Sequence, residues 1–208
     1  MQATPLAAPN ARPATALLLA AGRGERMRPL TDSTPKPLLR VQGKPLMQWP
    51  MEALGQGGVS SLVINTDWLG TQISDFFGAN FQASTAAAPM QLHYSQEGRD
   101  FGGALETAGG IVRALPQLDE AFWVAAGDVF APDFVFSAEV YAAFKARDAL
   151  AHLWLVPNPA HVPKGDFALG PDGRIQPRDT APADWPRHTY STIGLYRPEM
   201  VEIGRAHV

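Results

Sequence analysis

The sequence predicts an α/β fold in which a mostly parallel central sheet is covered by helices on both faces. Strand-like apolar runs alternate with helical patterns over the first 150 residues, and such alternation is typical of parallel sheets. Hydrophobic residues make up 46% of the 208 residues and charged residues 18%, which is typical of a globular chain. A chain of this length can bury a substantial core as one domain.

The predicted strands are short and either uniformly apolar or alternating. They cover residues 14–21, 61–65, 90–94, 121–126, 151–156 and 188–196. The predicted helices have apolar residues at helical spacing. They cover a stretch that ends at Gly57-Gly58 with Pro50 in its first turn, and residues 69–77, 104–115 and 134–147. A turn is predicted at residues 41–46, a loop at 83–89 and a turn at 171–173 between extended segments.

Two terminal segments are predicted to flank the globular domain, which covers residues 14–201. Residues 1–13 are rich in alanine and proline and are expected to form a disordered tail. Residues 202–208 are expected to be non-native, with the natural C-terminus truncated, because this peptide is compatible with a translated sequencing adapter. A genuine short tail is the alternative. The apolar run after Arg12 is not a signal peptide, since it carries the glycine motif described below.

Charge balance and cysteine count exclude several classes of function. A net charge of −3 does not favour nucleic acid as a partner. The chain has no cysteine, which excludes disulfide and thiol chemistry and favours a cytoplasmic location. The histidines are scattered without ligand spacing, so no zinc site is predicted. No apolar run is long enough to span a bilayer, and we expect a monomer or a small homo-oligomer.

A glycine loop follows the first apolar run. The run ends at Gly22-Arg23-Gly24, and further basic side chains follow at Arg26, Arg28 and Lys36. Glycine lets backbone N–H groups approach a ligand closely, and the cations suit a polyphosphate. The loop is not the dinucleotide fingerprint, because Met27 occupies the position of its third glycine, and no Walker A lysine motif follows. The loop therefore favours phosphate binding, with an ordinary βα turn as the alternative.

Polar residues follow the predicted strands at one edge of the sheet. Ligands of open α/β sheets bind at the carboxyl ends of the strands, which places Gly22, Asn65, Glu97 and Asp128 on one rim. Asp128 follows Gly127 directly after a buried strand, a position that suits either a ligand of a hard cation or a helix N-cap. Lys36 lies between two prolines that stiffen its backbone, which favours a functional position over a solvated loop charge.

The glycine loop is part of a longer motif. Residues 19–31 read Leu-Ala-Ala-Gly-x-Gly-x-Arg-Met-x-Pro-Leu-Thr, and residues 34–38 read Thr-Pro-Lys-Pro-Leu. This string resembles the signature of the sugar-phosphate nucleotidyltransferases, which join a nucleoside triphosphate to a sugar 1-phosphate and release pyrophosphate. The resemblance covers residues 14–200 and implies a Rossmann-like three-layer nucleotidyltransferase fold.

A second segment narrows the resemblance. Residues 95–111 resemble the base-reading loop of the family and the helix after it, and residues 105–111 resemble its uridylyltransferases that act on N-acetylmuramate 1-phosphate. This implies that UTP and the sugar 1-phosphate give a UDP-sugar and pyrophosphate in cell-wall peptidoglycan recycling. Mannose-1-phosphate guanylyltransferase and glucose-1-phosphate thymidylyltransferase are the alternatives within the family. A non-catalytic nucleotide-binding protein or inactive fragment is the alternative outside it.

The resemblance also implies which residues form the site. Arg28 is expected to bind the β- and γ-phosphates, Lys36 the α-phosphate and Asp128 a Mg²⁺ ion, as catalytic residues. Asn65 and Glu97 are expected to read the uracil edge as buried polar groups, with a turn residue and a solvated loop carboxylate as the alternatives. The implied nucleotide-binding residues are Ala20, Ala21, Gly22, Gly24, Asn65, Glu97 and Gly103, and the implied sugar-binding residues are Gly165, Asp166 and Tyr190, beside Ser191 and Thr192.

The sequence departs from the family pattern at its end. The pattern includes a second aspartate in a Trp-x-Asp-x-Gly-Thr-like segment near the C-terminus, and residues 196–208 do not match it. Magnesium sites commonly use one or two carboxylates together with phosphate oxygens. The departure agrees with the expected truncation and leaves the activity of this chain open.

Overall fold

A computed structural model describes residues 14–84, 86–103 and 105–201. The predicted tails at residues 1–13 and 202–208 lie outside the described residues, and so do Thr85 in the predicted loop and Ala104 at the start of the predicted 104–115 helix. The division into tails and domain therefore stays a prediction.

Strands and helices alternate in the order that the sequence predicts over its first part. The strands are β1 (Thr15–Leu19), β2 (Arg40–Val41), β3 (Lys44–Pro45), β4 (Ser61–Thr66), β5 (Asn80–Phe81), β6 (Met90–Gln96), β7 (Phe122–Ala126), β8 (Ala151–Val156), β9 (Phe167–Leu169), β10 (Ile175–Pro177) and β11 (Arg187–Tyr196). The helices are α1 (Leu30–Ser33), α2 (Gln48–Gln56), α3 (Gly70–Phe77), α4 (Glu97–Phe101), α5 (Glu106–Ala114) and α6 (Ala138–Lys145), with 3₁₀ turns at Glu25–Met27, Lys36–Leu38 and Leu115–Gln117.

One mixed sheet of nine strands forms the centre of the fold as described. Its order is β10-β9-β11-β7-β1-β4-β6-β5, with β8 also paired to β11. Strands β7, β1, β4 and β6 are parallel, which confirms the α/β prediction and its parallel core. The flanking strands β5 and β11 pair antiparallel. Strands β8 and β11 also pair antiparallel. Parallel pairing commonly uses a helix in the crossover connection, and the described chain has no helix between these two strands.

The apolar core lies on both faces of the parallel strands, so the fold has three layers. Successive side chains of a strand point to opposite faces. Leu18 and Trp123 therefore pack with residues of α2 and α6 on one face, whereas Leu17 and Phe122 pack with Ile111 of α5 on the other. The two layers of helices hold the carboxyl ends of β7, β1 and β4 at one edge, where the candidate site lies.

Several elements differ in their bounds from the sequence prediction. Helix α2 begins at Gln48 and contains Pro50 in its first turn, as predicted. Helix α6 begins at Ala138 rather than at Phe134. Phe134 and Phe136 precede the helix and pack against neighbouring aromatic rings. Glu97 begins the short helix α4 instead of lying in a loop. Among the described helices, none combines the length and apolarity needed to cross a membrane.

Ser137 caps helix α6, and its removal is expected to destabilise the fold. Its Oγ accepts a hydrogen bond from the Val140 N–H at 3.2 Å. We expect Ser137→Ala to lower the free energy of unfolding by about 1 kcal/mol, measured by urea denaturation, because one orphan N–H loses its acceptor. The matched control is Ser74→Ala inside α3, where Oγ donates only to the Thr71 carbonyl and alanine is the better helix former. Equal losses in the two variants would contradict the capping role.

Candidate active site

A cleft of about 400 Å³ opens at the carboxyl ends of β7, β1 and β4, within the size range of small-molecule sites. The structure brings several of the predicted residues together there. These are Ala20, Ala21, Gly22, Lys36, Asn65 and Asp128. The sheet edge therefore assembles the expected glycine loop, cation and carboxylate from segments that are distant in sequence.

A buried hydrogen-bond network joins the ends of β1 and β4 to the start of α4. Asn65 Oδ1 accepts from the Ala20 N–H at 2.8 Å, and Asn65 Nδ2 donates to Glu97 Oε1 at 3.0 Å. Glu97 Oε2 accepts from the Leu105 N–H at 2.8 Å. These partners determine the orientation of the amide, since a backbone N–H requires an acceptor and a carboxylate requires a donor. The network holds the first residue after β1 against β4.

Glu97 differs from its expected role. Its side chain has no solvent exposure, and both carboxylate oxygens are bonded to Asn65 and Leu105. In this structure Glu97 therefore holds Asn65 and does not face the cleft as a base-reading group. Helix α5 packs closely against the Asn65 and Glu97 side chains at Gly110. A Cβ added at Gly110 would lie 2.7 Å from Asn65 Nδ2 and 2.9 Å from Glu97 Oε1, so this position requires glycine. The sequence predicts Glu97 as a buried polar group of a base-reading loop; the structure agrees with the burial but bonds both carboxylate oxygens within the protein.

Lys36 and Asp128 form an ion pair inside the cleft. Lys36 Nζ lies 2.7 Å from Asp128 Oδ2, and both side chains are partly exposed. Gly24 has φ +67, and a Cβ there would lie 3.0 Å from Thr31 Cγ2 and 3.1 Å from Lys36 Cβ. The glycine thus allows its loop to pack on the lysine, although it does not itself line the cleft. The pair supplies a cation for a phosphate and a hard oxygen ligand for a divalent ion.

Two other predicted nucleotide contacts lie away from the cleft wall. Arg28 pairs with Asp32 at 3.3 Å on the surface and is not among the cleft residues. The i,i+4 spacing from Arg28 to Asp32 brings the two side chains together on short helix α1 and its lead-in. Gly103 also lies outside the cleft lining. The phosphate contact of Arg28 therefore stays a prediction.

The predicted sugar residues are joined to one another instead of lining the cleft. Asp166 Oδ2 accepts from the Tyr190 N–H at 2.9 Å, and the Tyr190 and Tyr196 hydroxyls are 2.7 Å apart. Burial raises the pKa of both tyrosines, so they stay protonated near neutral pH. Gly165 has φ +62, and a Cβ there would lie 2.8 Å from the His188 carbonyl oxygen. These contacts connect the β9 and β11 segments, whereas Thr192 of the same predicted group does line the cleft.

Sequence reasoning did not assign several cleft residues. Asp67 lies two residues beyond Asn65, so the strand-end rule could have found it; Arg23 lies within the glycine motif. Glu106, which was not assigned, and Thr192, which was expected beside the sugar, have φ values of +59 and +63. Such values are rare for side chains with a Cβ and cluster at functional sites, and nothing in the sequence pattern indicates them. The other cleft residues that were not assigned are Leu19, Pro37, Thr107 and Ala126.

The described residues contain no cluster of three or more His, Asp or Glu side chains that could hold a metal ion by themselves. Asp128 nevertheless presents a partly exposed carboxylate to the cleft. Mg²⁺ is usually bound by one or two carboxylates together with substrate phosphates. The Asp128 carboxylate therefore fits an ion that arrives with a nucleoside triphosphate.

Comparisons with known proteins place the chain among nucleotidyl transferases. Residues 15–197 match the nucleotidyl transferase family. The chain is 48% identical over 189 residues to the N-acetylmuramate alpha-1-phosphate uridylyltransferase of Neisseria meningitidis serogroup B, covering 90% of this chain and 77% of the relative. It is 37% identical over 144 residues to the enzyme of the same name from Caulobacter vibrioides, covering 68% and 53%.

Solved structures share the fold at low sequence identity. A putative glucose-1-phosphate thymidylyltransferase from Bacillus anthracis superimposes with a TM-score of 0.70 at 19% identity, covering 92% of this chain and 75% of that one. The inositol-1-phosphate CTP transferase from T. maritima superimposes with a TM-score of 0.63 at 18% identity, covering 92% and 74%. At such identity these likenesses show the three-layer fold alone.

The hydrogen-bond network of Asn65 and Glu97 can be tested by exchanging the amide and the carboxylate between the two positions. Asn65→Asp removes the donor to Glu97. Glu97→Gln replaces one accepting oxygen by an NH₂ group, which then faces a second donor, either Asn65 Nδ2 or the Leu105 N–H. We expect each single variant to lose about 1–3 kcal/mol of unfolding free energy, because a buried polar group becomes unpaired. The double variant restores every hydrogen bond with the carboxylate moved to position 65, so most of the loss is expected to be recovered. Additive losses in denaturant unfolding would contradict the network.

The backbone strain at Thr192 predicts a gain in stability on substitution. Thr192→Gly is expected to raise the free energy of unfolding by about 1 kcal/mol, since glycine adopts positive φ without strain. Thr189→Gly is the control in the same strand, where the hydroxyl donates to Asn158 Oδ1 at 3.0 Å and glycine should destabilise. Thermal unfolding that shows equal destabilisation of both variants would show that Thr192 is not strained.

Proposed function

The chain belongs to the nucleotidyl transferase family, and we propose that it joins UTP to N-acetylmuramate 1-phosphate, forming UDP-N-acetylmuramate and pyrophosphate. The observation that carries the proposal is the Lys36–Asp128 pair beside the Gly22 backbone in one cleft. The relatives from N. meningitidis and C. vibrioides, which carry this activity in their names, support the choice of nucleotide and sugar.

The strand order suggests how the two substrates are arranged along the cleft. Strands β4, β1, β7 and β11 are consecutive neighbours in the sheet and span about 14 Å at the usual strand spacing. In the proposal the nucleoside lies at the β4 end near Asn65, and the triphosphate lies at the β1 end near Gly22. The sugar phosphate then lies at the β7 and β11 ends, beyond Asp128 and next to Thr192.

The reaction is an in-line displacement at the α-phosphorus. An oxygen of the sugar phosphate forms a bond to the α-phosphorus, while the bond to the bridging oxygen of pyrophosphate breaks. The attacking phosphate is already anionic, so no base is needed to remove a proton. Negative charge grows on the α-phosphoryl oxygens and on pyrophosphate, and in the proposal the Lys36 ammonium and the backbone N–H groups at Gly22 stabilise it.

Asp128 has two roles in the proposal. Its carboxylate fits a Mg²⁺ ion that accompanies the triphosphate, and such an ion neutralises charge on the phosphates and on the leaving group. Asp128 also holds Lys36 Nζ at 2.7 Å, so the ammonium is oriented within the cleft before a nucleotide binds. We further propose that the protein acts in the cytoplasm, where UTP is available, in peptidoglycan recycling.

The role of Lys36 can be tested by turnover. Lys36→Ala is expected to lower kcat/KM about a hundredfold in a pyrophosphate-release assay with UTP and N-acetylmuramate 1-phosphate, because one charge-stabilising donor is lost from the transition state. Lys44→Ala is the matched control, since Lys44 also pairs with a carboxylate, that of Glu52, but lies outside the cleft. Full turnover by Lys36→Ala would contradict the mechanism. Higher turnover with GTP or dTTP than with UTP would contradict the proposed choice of nucleotide.

A further inference from the structure

We propose that Arg23 is a further phosphate-binding residue of this cleft and that Trp68 positions it. The inference rests on the proposed function, because the phosphates are those of the bound nucleoside triphosphate. Arg23 lines the cleft next to Gly22, in the same connection between β1 and β2 that carries Lys36. A nucleoside triphosphate brings several negative charges to this place, and guanidinium groups bind phosphate oxygens in a bidentate manner.

The guanidinium of Arg23 is held by stacking and not by a strong ion pair. Its Cζ lies 4.3 Å from the centre of the Trp68 ring. Stacking uses the flat face of the guanidinium and leaves its N–H groups at the edge for other acceptors. The neighbouring carboxylate of Glu25 is 3.8 Å from Arg23 Nε, beyond hydrogen-bond distance, and both side chains are largely exposed. Such an exposed pair is weak, so a phosphate can replace it.

Trp68 is itself fixed to the glycine loop. Its indole Nε1 donates to the Thr31 carbonyl at 2.9 Å, and the Thr31 hydroxyl donates to the Gly24 carbonyl at 2.9 Å. Thr31 is buried. Four residues beyond Trp68, Gln72 donates to the Ser33 carbonyl at 3.1 Å. The segment after β4 therefore holds the loop that carries Arg23 and presents an aromatic face under its side chain.

Lys36 and Arg23, the two cations among the described cleft residues, are therefore held by different kinds of contact. Lys36 is held by Asp128 at the end of β7, whereas Arg23 is held by Trp68 in the connection after β4. In the strand order, Lys36 is therefore on the side of the transferred α-phosphate and the sugar. Arg23 is assigned to the β- and γ-phosphates, the role that the sequence expectation gave to Arg28.

The test compares nucleotides that differ only in their phosphates. Arg23→Gln is expected to weaken calorimetric UTP binding about tenfold, as for the loss of a hydrogen bond between charged groups. UMP binding should be unchanged, because UMP lacks the β- and γ-phosphates. Equal affinity of the variant and the unaltered protein for UTP, or equal weakening of UTP and UMP, would overturn the assignment.

Trp68→Phe tests the positioning role without removing the ring. It retains an aromatic face but loses the N–H that anchors it to the Thr31 carbonyl, so we expect weaker UTP binding. In an Arg23→Gln background the same change should add nothing, since Trp68 acts through Arg23. Trp49→Phe is the matched control, because Trp49 also donates to a carbonyl, that of Val41, and lies under Lys44, yet is outside the cleft. An undiminished effect of Trp68→Phe in the Arg23→Gln background would overturn its positioning role.

Failure of this inference can be told apart from failure of the proposed function. The same titrations are made with GTP and GMP. If the unaltered protein prefers GTP, the UTP proposal fails, while a selective loss of GTP binding in Arg23→Gln still supports the phosphate contact. If the unaltered protein binds UTP and Arg23→Gln changes nothing, the assignment of Arg23 alone fails. If it binds no triphosphate, both fail.

Discussion

A carboxylate buried without solvent exposure must have hydrogen-bond donors, and the Glu97 carboxylate determines how the site is assembled. Its donors are the Asn65 amide and the Leu105 N–H, and Asn65 in turn accepts from Ala20. Because Ala20 begins the chain segment that leads to Gly22, the same network sets where the glycine loop leaves the sheet. The position of the loop therefore depends on a group that does not line the cleft.

The rest of the cleft follows from this starting point. The loop is held from one side by Trp68, through Thr31, and from the other side by the Lys36–Asp128 pair. The packing of Gly24 on Lys36 joins these two attachments. A loop fixed in this way presents its backbone and its cations before substrate binds, which is the arrangement that electrostatic stabilisation of a transition state requires.

Local patterns predicted the alternation of strands and helices, and the strand-end rule correctly brought Gly22, Asn65 and Asp128 to one cleft. The same rule could not distinguish a residue that faces the cleft from one that lies beneath it, so Glu97 was expected to read the base although its carboxylate is bonded to Asn65 and Leu105. Nor could the sequence separate the cations of the glycine loop. Arg23 faces the cleft whereas Arg28 pairs with Asp32 outside it, and this difference depends on loop geometry that no periodicity encodes. The contacts of Tyr190 depend likewise on long-range pairing of β11.

In the proposed function this cleft binds the triphosphate of UTP between the glycine loop and Asp128. The most direct measurement is a crystal structure of the protein with UTP and Mg²⁺. We expect the α-phosphate within hydrogen-bond distance of Lys36, the terminal phosphates at Arg23, the ion on Asp128 and the uracil at the β4 end of the cleft. A triphosphate bound away from Lys36 and Asp128, or a uracil in direct contact with Glu97, would contradict it.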